Sequence, residues 1–247
     1  MKPRDNTIVV TGGGSGIGRE MARRWHDMGN IVIVAGRSRA SLEATAAGHA
    51  RIHAMTLDAS DAADITRFAA AATARFPALN VLVNNAGIMH YEDISAARDL
   101  AEAEATIATN LLGPIRLIDA FVDHLAGRAD AAIVNVTSGL AFVPMPRAAT
   151  YSATKAALHS YTVSLRARLE GRIEVIEIPP PGVRTELTPG QSTREGYMPL
   201  DAFMAETMAQ FETAETPPEI LTQNVMFLRN AEAEGRYGEA IAATRRF

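Results

Sequence analysis

The sequence predicts an α/β fold, a doubly wound, Rossmann-like parallel sheet with helices on both faces. Three observations predict it. Short apolar runs alternate with segments of helical period from the N-terminus onward. The runs are continuously apolar, as in strands covered on both sides, with no in-out alternation. A glycine cluster separates the first run from the first helical segment, at the edge where such sheets bind ligands. With 247 residues, 47% of them hydrophobic, one large core is expected, and a single domain over 1–247.

The elements follow in order. Residues 7–10 form the first strand. Ile17, Met21, Trp25 and Met28 then recur at spacings of three and four, a helix stopped by Gly29-Asn30. Residues 31–35 are the second strand, 41–47 a helix, 52–57 the third strand, and 61–76 a helix ended by Pro77. Residues 81–83 are the fourth strand, 99–125 a long helix, and 131–136 the fifth strand. A helix over 152–169 ends at Gly171, and the sixth strand, 173–178, stops at three prolines. Beyond Thr185 the pattern changes. Residues 188–196 read as a polar loop, Met- and Phe-rich residues 197–211 follow, and Pro217-Pro218-Glu219 reads as a helix start. Met198, Phe203, Met204, Met208 and Phe211 either line a pliable apolar pocket or pack as ordinary core. A weak final strand is expected at 239–243.

Charge and composition exclude several functions. Twenty-four basic and 28 acidic residues give a net charge of −4, without the basic footprint of a nucleic-acid binder. The absence of cysteine removes disulfides, thiolate metal sites and thiol nucleophiles, and suits a reducing compartment. The most apolar stretches, 31–35 and 131–136, are strand-sized, so no membrane span is expected. The N-terminus lacks an apolar leader and a cleavage pattern, so a cytoplasmic location is expected. Six histidines show no metal-binding spacing, and no metal is expected. His90 beside Tyr91 either borders a substrate or is a plain loop histidine.

The loop Thr11-Gly12-Gly13-Gly14-Ser15-Gly16-Ile17-Gly18 allows a tight turn and brings backbone N–H groups close to a pyrophosphate at the helix N-terminus. It is not a nucleoside-triphosphate loop, because Arg19-Glu20 follows where Lys-Ser/Thr is needed. After the second strand, Ala35-Gly36-Arg37-Ser38-Arg39 has no acid to repel a 2′-phosphate, and Arg37, with Arg39 beside it, supplies a planar fork that binds one. This favours NADP(H), with NAD(H) still possible; the alternative is a solvated surface arginine. Tyr151 and Lys155, spaced i, i+4, share one helical face, where an ammonium would lower the pKa of a phenol towards a useful range. Ser138 ends the fifth strand and Asn84-Asn85-Ala86-Gly87 the fourth, both at the ligand edge.

Together these motifs resemble the short-chain dehydrogenase/reductase family over about residues 5–185. Residues 11–18 match its T-G-x-x-x-G-x-G, 84–87 its N-N-A-G, and 151–155 its Y-x-x-x-K. The resemblance implies catalytic Asn110, Ser138, Tyr151 and Lys155. It implies cofactor contacts from Gly12, Gly14, Ser15, Gly16, Ile17, Gly18, Arg37, Asp58 (against adenine), Asn84, Ala86, Gly87, Tyr151 and Lys155. Pro181, Val183 and Thr185 complete that set, with Pro181 replacing the family's glycine in P-G-x-V-x-T. The implied reaction moves hydride between nicotinamide and a carbonyl or alcohol carbon while Tyr151 gives or takes the proton. Ser138 would orient the carbonyl, and Asn110 would support a water relay from Lys155. A homodimer through helices 99–125 and 152–169 is expected, with a substrate loop and helices at about 186–216. A non-catalytic NADP(H)-binding regulator is the second reading, which the intact catalytic set disfavours.

Overall fold

In a computed structural model that describes residues 1–245, six strands form one parallel sheet in the order β3-β2-β1-β4-β5-β6. The strands are β1 (Thr7–Thr11), β2 (Ile31–Gly36), β3 (Ile52–Thr56), β4 (Val81–Asn84), β5 (Ala132–Val136) and β6 (Glu174–Ile178). The order reverses between β1 and β4, which opens a crevice at their carboxyl ends.

Alternate strand residues feed two cores. Ile8, Val10, Val32, Val34, Val83 and Val134 face α1 (Gly16–Asp27), α2 (Arg39–Ala46) and α7 (Leu200–Phe211). Val9, Ile33, Leu82, Ile133 and Val175 face α3 (Ala62–Arg75), α5 (Gly113–Ala126) and α6 (Ala149–Leu169). Short α8 (Met226–Arg229) and α9 (Tyr237–Thr244) complete the chain. Local chemistry starts and stops these helices. Asp61 caps α3 by accepting from the N–H groups of Ala63 and Asp64, and Gly171 at φ +72° follows α6.

Three expectations are corrected and one open alternative is decided. The long helix is a continuous run of 26 residues, Ala101–Ala126, apolar and long enough by composition to cross a bilayer, contrary to the strand-sized stretches read from sequence. In the fold its Leu117, Ile118, Phe121 and Leu125 are buried against α3 and the sheet. The run is α4 (Ala101–Ile107), a π turn (Ala108–Leu112) and α5. Pro217-Pro218-Glu219 does not open a helix. It runs beside β6, where Glu177 N–H donates to Pro218 O at 2.9 Å and Ile220 N–H to Glu177 O at 2.8 Å. Residues 239–243, expected as a strand, lie in α9. Alanine-rich sequence favours helix there, and Ala240 packs on Val143 and Ala231. The Met and Phe residues at 198–211 are core: Phe211 meets Trp25 edge-on at 5.4 Å, with Phe203, Met204 and Met208 buried beside them.

Candidate active site

The glycine loop turns because Thr11 anchors what faces it. Its hydroxyl donates to Val83 O at 3.2 Å and accepts from the N–H groups of Asn85 and Ala86, both at 3.0 Å. Asn85 Nδ2 donates back to Thr11 O at 2.9 Å. Gly12 sits at φ +65° and Gly16 at φ +50°, conformations that a side chain would strain. Ser15 precedes α1 without a side-chain cap, and the first turn holds no acid, which leaves its N–H groups and positive dipole end free for an anion.

The sheet's carboxyl edge carries a cleft of about 1180 Å³ counted to its open mouth. Gly12, Ser15, Gly16, Ile17, Gly18, Ala86 and Gly87 line it, with Ser138, Tyr151, Lys155, Pro181, Val183 and Thr185 opposite. The glycine-lined mouth has room for a dinucleotide's pyrophosphate beside the first turn of α1, while Cβ atoms at Gly12 and Gly18 would press on Ala86 and on the Gly12 backbone and break the turn itself. Four expected contacts lie off this lining. Asn84 is buried in the sheet and donates to Asn135 Oδ1 at 2.9 Å. Gly14 instead makes room for Ser41, 3.0 Å from where its Cβ would stand. Arg37 is exposed beyond β2. Asp58 beyond β3 is held below the usual carboxylate range by its hydrogen bonds from Ser60 and, more weakly, by the Arg37 charge. Arg39 is engaged with Glu43 at 2.7 Å.

Tyr151 stands in the first turn of α6 and is buried, hydrogen-bonded to Ser138. Burial pushes its phenol up to about 12, against the lowering effect of Ser138. Lys155 is buried one turn on, pushed down to about 8 by desolvation, with Glu177 opposing. The sequence expectation that Lys155 lowers the phenol is not met in this arrangement. The ammonium lies 5.6 Å from the ring centroid and donates to Val136 O at 2.8 Å, so burial dominates. Asn110, in the π turn, accepts from Ile88 N–H at 2.9 Å and donates to Ile88 O at 2.8 Å. Asn110 and Lys155 converge beneath Gly87, whose Cβ would stand 3.3 Å from Asn110 Oδ1 and 3.7 Å from Lys155 Nζ.

A second cleft of about 900 Å³ opens from the same Ser138 and Tyr151. Met89, Leu140, Met145, Leu187, Tyr197 and Phe227 give it apolar walls, and its polar lining among the described residues carries no charge. The loop after β6 folds over it, held by Gln191 Nε2 donating to Val183 O at 2.9 Å and by Arg194 donating to Tyr91 Oη at 3.0 Å. Ala243 and Thr244 of α9 also reach the lining, which the sequence had not indicated. His90 borders the first cleft.

The short chain dehydrogenase family profile matches residues 6–196. The uncharacterized oxidoreductase DltE of Bacillus subtilis is 38% identical over 94% of this chain and 93% of its own. A short-chain dehydrogenase from Streptomyces avermitilis superposes with a TM-score of 0.82 at 25% identity, covering 96% of this chain and 95% of that one. The 3-ketoacyl-(acyl-carrier-protein) reductase of Brucella melitensis, solved with NADH, gives 0.77 at 27% identity, covering 86% and 93%.

Proposed function

Because the chain belongs to the short-chain dehydrogenase/reductase family of oxidoreductases acting on alcohol and carbonyl groups, we propose that it moves hydride between NADP(H) and a carbonyl or secondary alcohol, with Tyr151 handling the proton. The observation that carries the reading is the position of Tyr151, at the junction of a dinucleotide-sized cleft and an apolar one. A bound nicotinamide supplies or accepts the hydride; the chain's own residues do the rest. Ser138 and Tyr151 hold the carbonyl oxygen between two hydroxyls, so reduction finds a proton donor aimed at the atom that gains charge. In oxidation the same phenol accepts the proton. Lys155 places a positive charge near the phenolate, and Asn110 beneath Gly87 extends the path toward Lys155.

Arg37, beyond β2 where that strand end carries no acid, supports NADP(H) over NAD(H). The apolar walls and uncharged lining of the second cleft favour a neutral, apolar-bearing substrate, since a charged group would be desolvated there without a partner. We also read the chain as one domain acting as a cytoplasmic homodimer, for which Ile107, Leu112 and Val163 offer exposed apolar surface on α4, the π turn and α6.

A panel of carbonyls and alcohols assayed with both cofactors, by absorbance of the reduced nicotinamide, tests the reading. Tyr151→Phe should lose turnover while retaining cofactor affinity. A fully active Tyr151→Phe refutes the mechanism, and binding without turnover on every substrate favours the regulator reading instead.

A further inference from the structure

Glu177 lies on β6 without solvent exposure, an acid one residue from the end of a buried strand. Thr137, just beyond β5, donates to its Oε1 at 2.6 Å. His159 Nδ1 stands 3.0 and 2.9 Å from its two oxygens. On α6, Tyr151, Lys155 and His159 follow one another at intervals of four residues, so phenol, ammonium and imidazole occupy one stripe facing the sheet. The Lys155 ammonium is bonded to the carbonyl of Val136, the residue before Thr137. A buried ammonium is costly without an opposite charge, and the buried carboxylate of Glu177, held by the side chains of Thr137 and His159, lies beside the same stripe.

The cluster continues outward. The His159 ring meets Phe142 edge-on at 4.8 Å, and the Arg229 guanidinium stacks over Phe142 at 4.7 Å. Arg229 grips Glu219 through two bonds of 2.8 and 3.0 Å, and Glu219 bridges beside Glu177. These are the titratable and charged groups that meet Glu177 from α6, β5 and the 218–229 segment. His159, Glu177 and Glu219 come close enough to hold a cation. Yet Arg229 already engages Glu219, and Thr137 and His159 already engage the oxygens of Glu177, so these carboxylate oxygens have partners without a metal.

We propose that Glu177 is the buried counter-ion of Lys155, a positioning residue that keeps the ammonium charged, while His159, Glu219 and Arg229 set how much of that negative charge Lys155 feels. Only its consequence for turnover rests on the function proposed above.

The composition makes a direct test available, because the chain contains two lysines, Lys2 and Lys155. Protein labelled with ¹³Cε-lysine therefore gives two titrating signals, which Lys2→Arg assigns. In Glu177→Gln the Lys155 midpoint should fall by about one unit while Lys2 stays in place. Arg229→Met removes a positive charge at a half-buried position and should move the Lys155 midpoint upward by less. An unmoved Lys155 midpoint in folded Glu177→Gln overturns the proposal. If that variant does not fold, the absence of an upward shift in Arg229→Met overturns it. With a carbonyl substrate, the alkaline limb of kcat for reduction should move to lower pH with Lys155. A shifted Lys155 with a stationary limb retains the counter-ion and refutes the proton-transfer role of Lys155.

Discussion

The turn between β1 and α1 allows the same substitution to be tested with opposite signs. Gly18 lies in the first turn of α1, and its Cβ as alanine would press on the Gly12 carbonyl oxygen and on Asn85 Nδ2, with the Gly12 carbonyl carbon 2.9 Å away. Carbon–carbon contact becomes favourable near ~3.5 Å, so the helix must retreat by at least about 0.6 Å. Neither neighbour swings aside: Gly12 contributes backbone, and Asn85 is tied to Thr11 O. Overpacking of this kind costs about 1–3 kcal/mol, partly offset by the ~0.5–1 kcal/mol that alanine gains over glycine in a helix. A net loss of about 1–2 kcal/mol lowers Tm by roughly 2–8 °C in a chain of this size. The retreat also carries the N–H groups of the first turn off the pyrophosphate, and NADPH Kd should rise about tenfold, equivalent to ~1.4 kcal/mol. Gly238→Ala is the matched control. It lies exposed on α9 with nothing within 4 Å of its Cβ, and should be neutral or raise Tm slightly. Calorimetry and cofactor fluorescence titration on both variants decide the matter. Gly18→Ala with native Tm and native Kd would refute the steric account.

Three further outcomes are expected. Arg37→Asp should weaken NADPH binding by roughly 10–100-fold, the worth of a charge-assisted phosphate contact, and spare NADH; equal losses for the two cofactors would contradict the assignment. Carbonyl reduction should be fastest below pH 8 and decline above it. Lys155 carries its charge below about 8 and loses it above, whereas the phenol, at about 12, stays protonated throughout. A rate–pH profile still rising at more alkaline pH would exclude Lys155 as the controlling group. Asn135→Ala should cost about 1–3 kcal/mol in denaturant titration, since it strands the buried Asn84 Nδ2, while the Thr162 hydroxyl keeps its bond to Leu158 O; a native midpoint would argue against the pairing.

Much of the fold was legible because strand runs and helix periods are local signals. All six parallel strands lie within a residue or so of their expected positions, and the glycine loop, Ser138, Tyr151 and Lys155 meet at one edge. What escaped depended on long-range packing. The parity of β4 against β5 decides that Asn84 turns into the sheet toward Asn135, leaving Asn85 to brace Thr11, and one Asn-Asn pair does not state that parity. The helical conformation of residues 239–243 follows from their packing on Val143 and from the occupation of the β6 edge by residues 218–220. The Glu177 cluster left two traces in the sequence, an acid inside an apolar strand and a histidine four residues beyond Lys155. Neither has meaning until β6 and α6 are packed together.

The π turn that carries Asn110 gives the long helix an unusual sensitivity to length. It holds one more residue than a regular helix of the same course, and each residue turns a helix by about 100°. Losing a single residue there would restore an unbroken ladder of hydrogen bonds. It would also rotate α4, which packs on α6, out of phase with α5, which packs on α3, and take Asn110 away from Ile88. Substitutions on the outer surface of this helix are therefore cheap, whereas a one-residue deletion is not: descent can vary what the helix is made of far more freely than how many residues it contains.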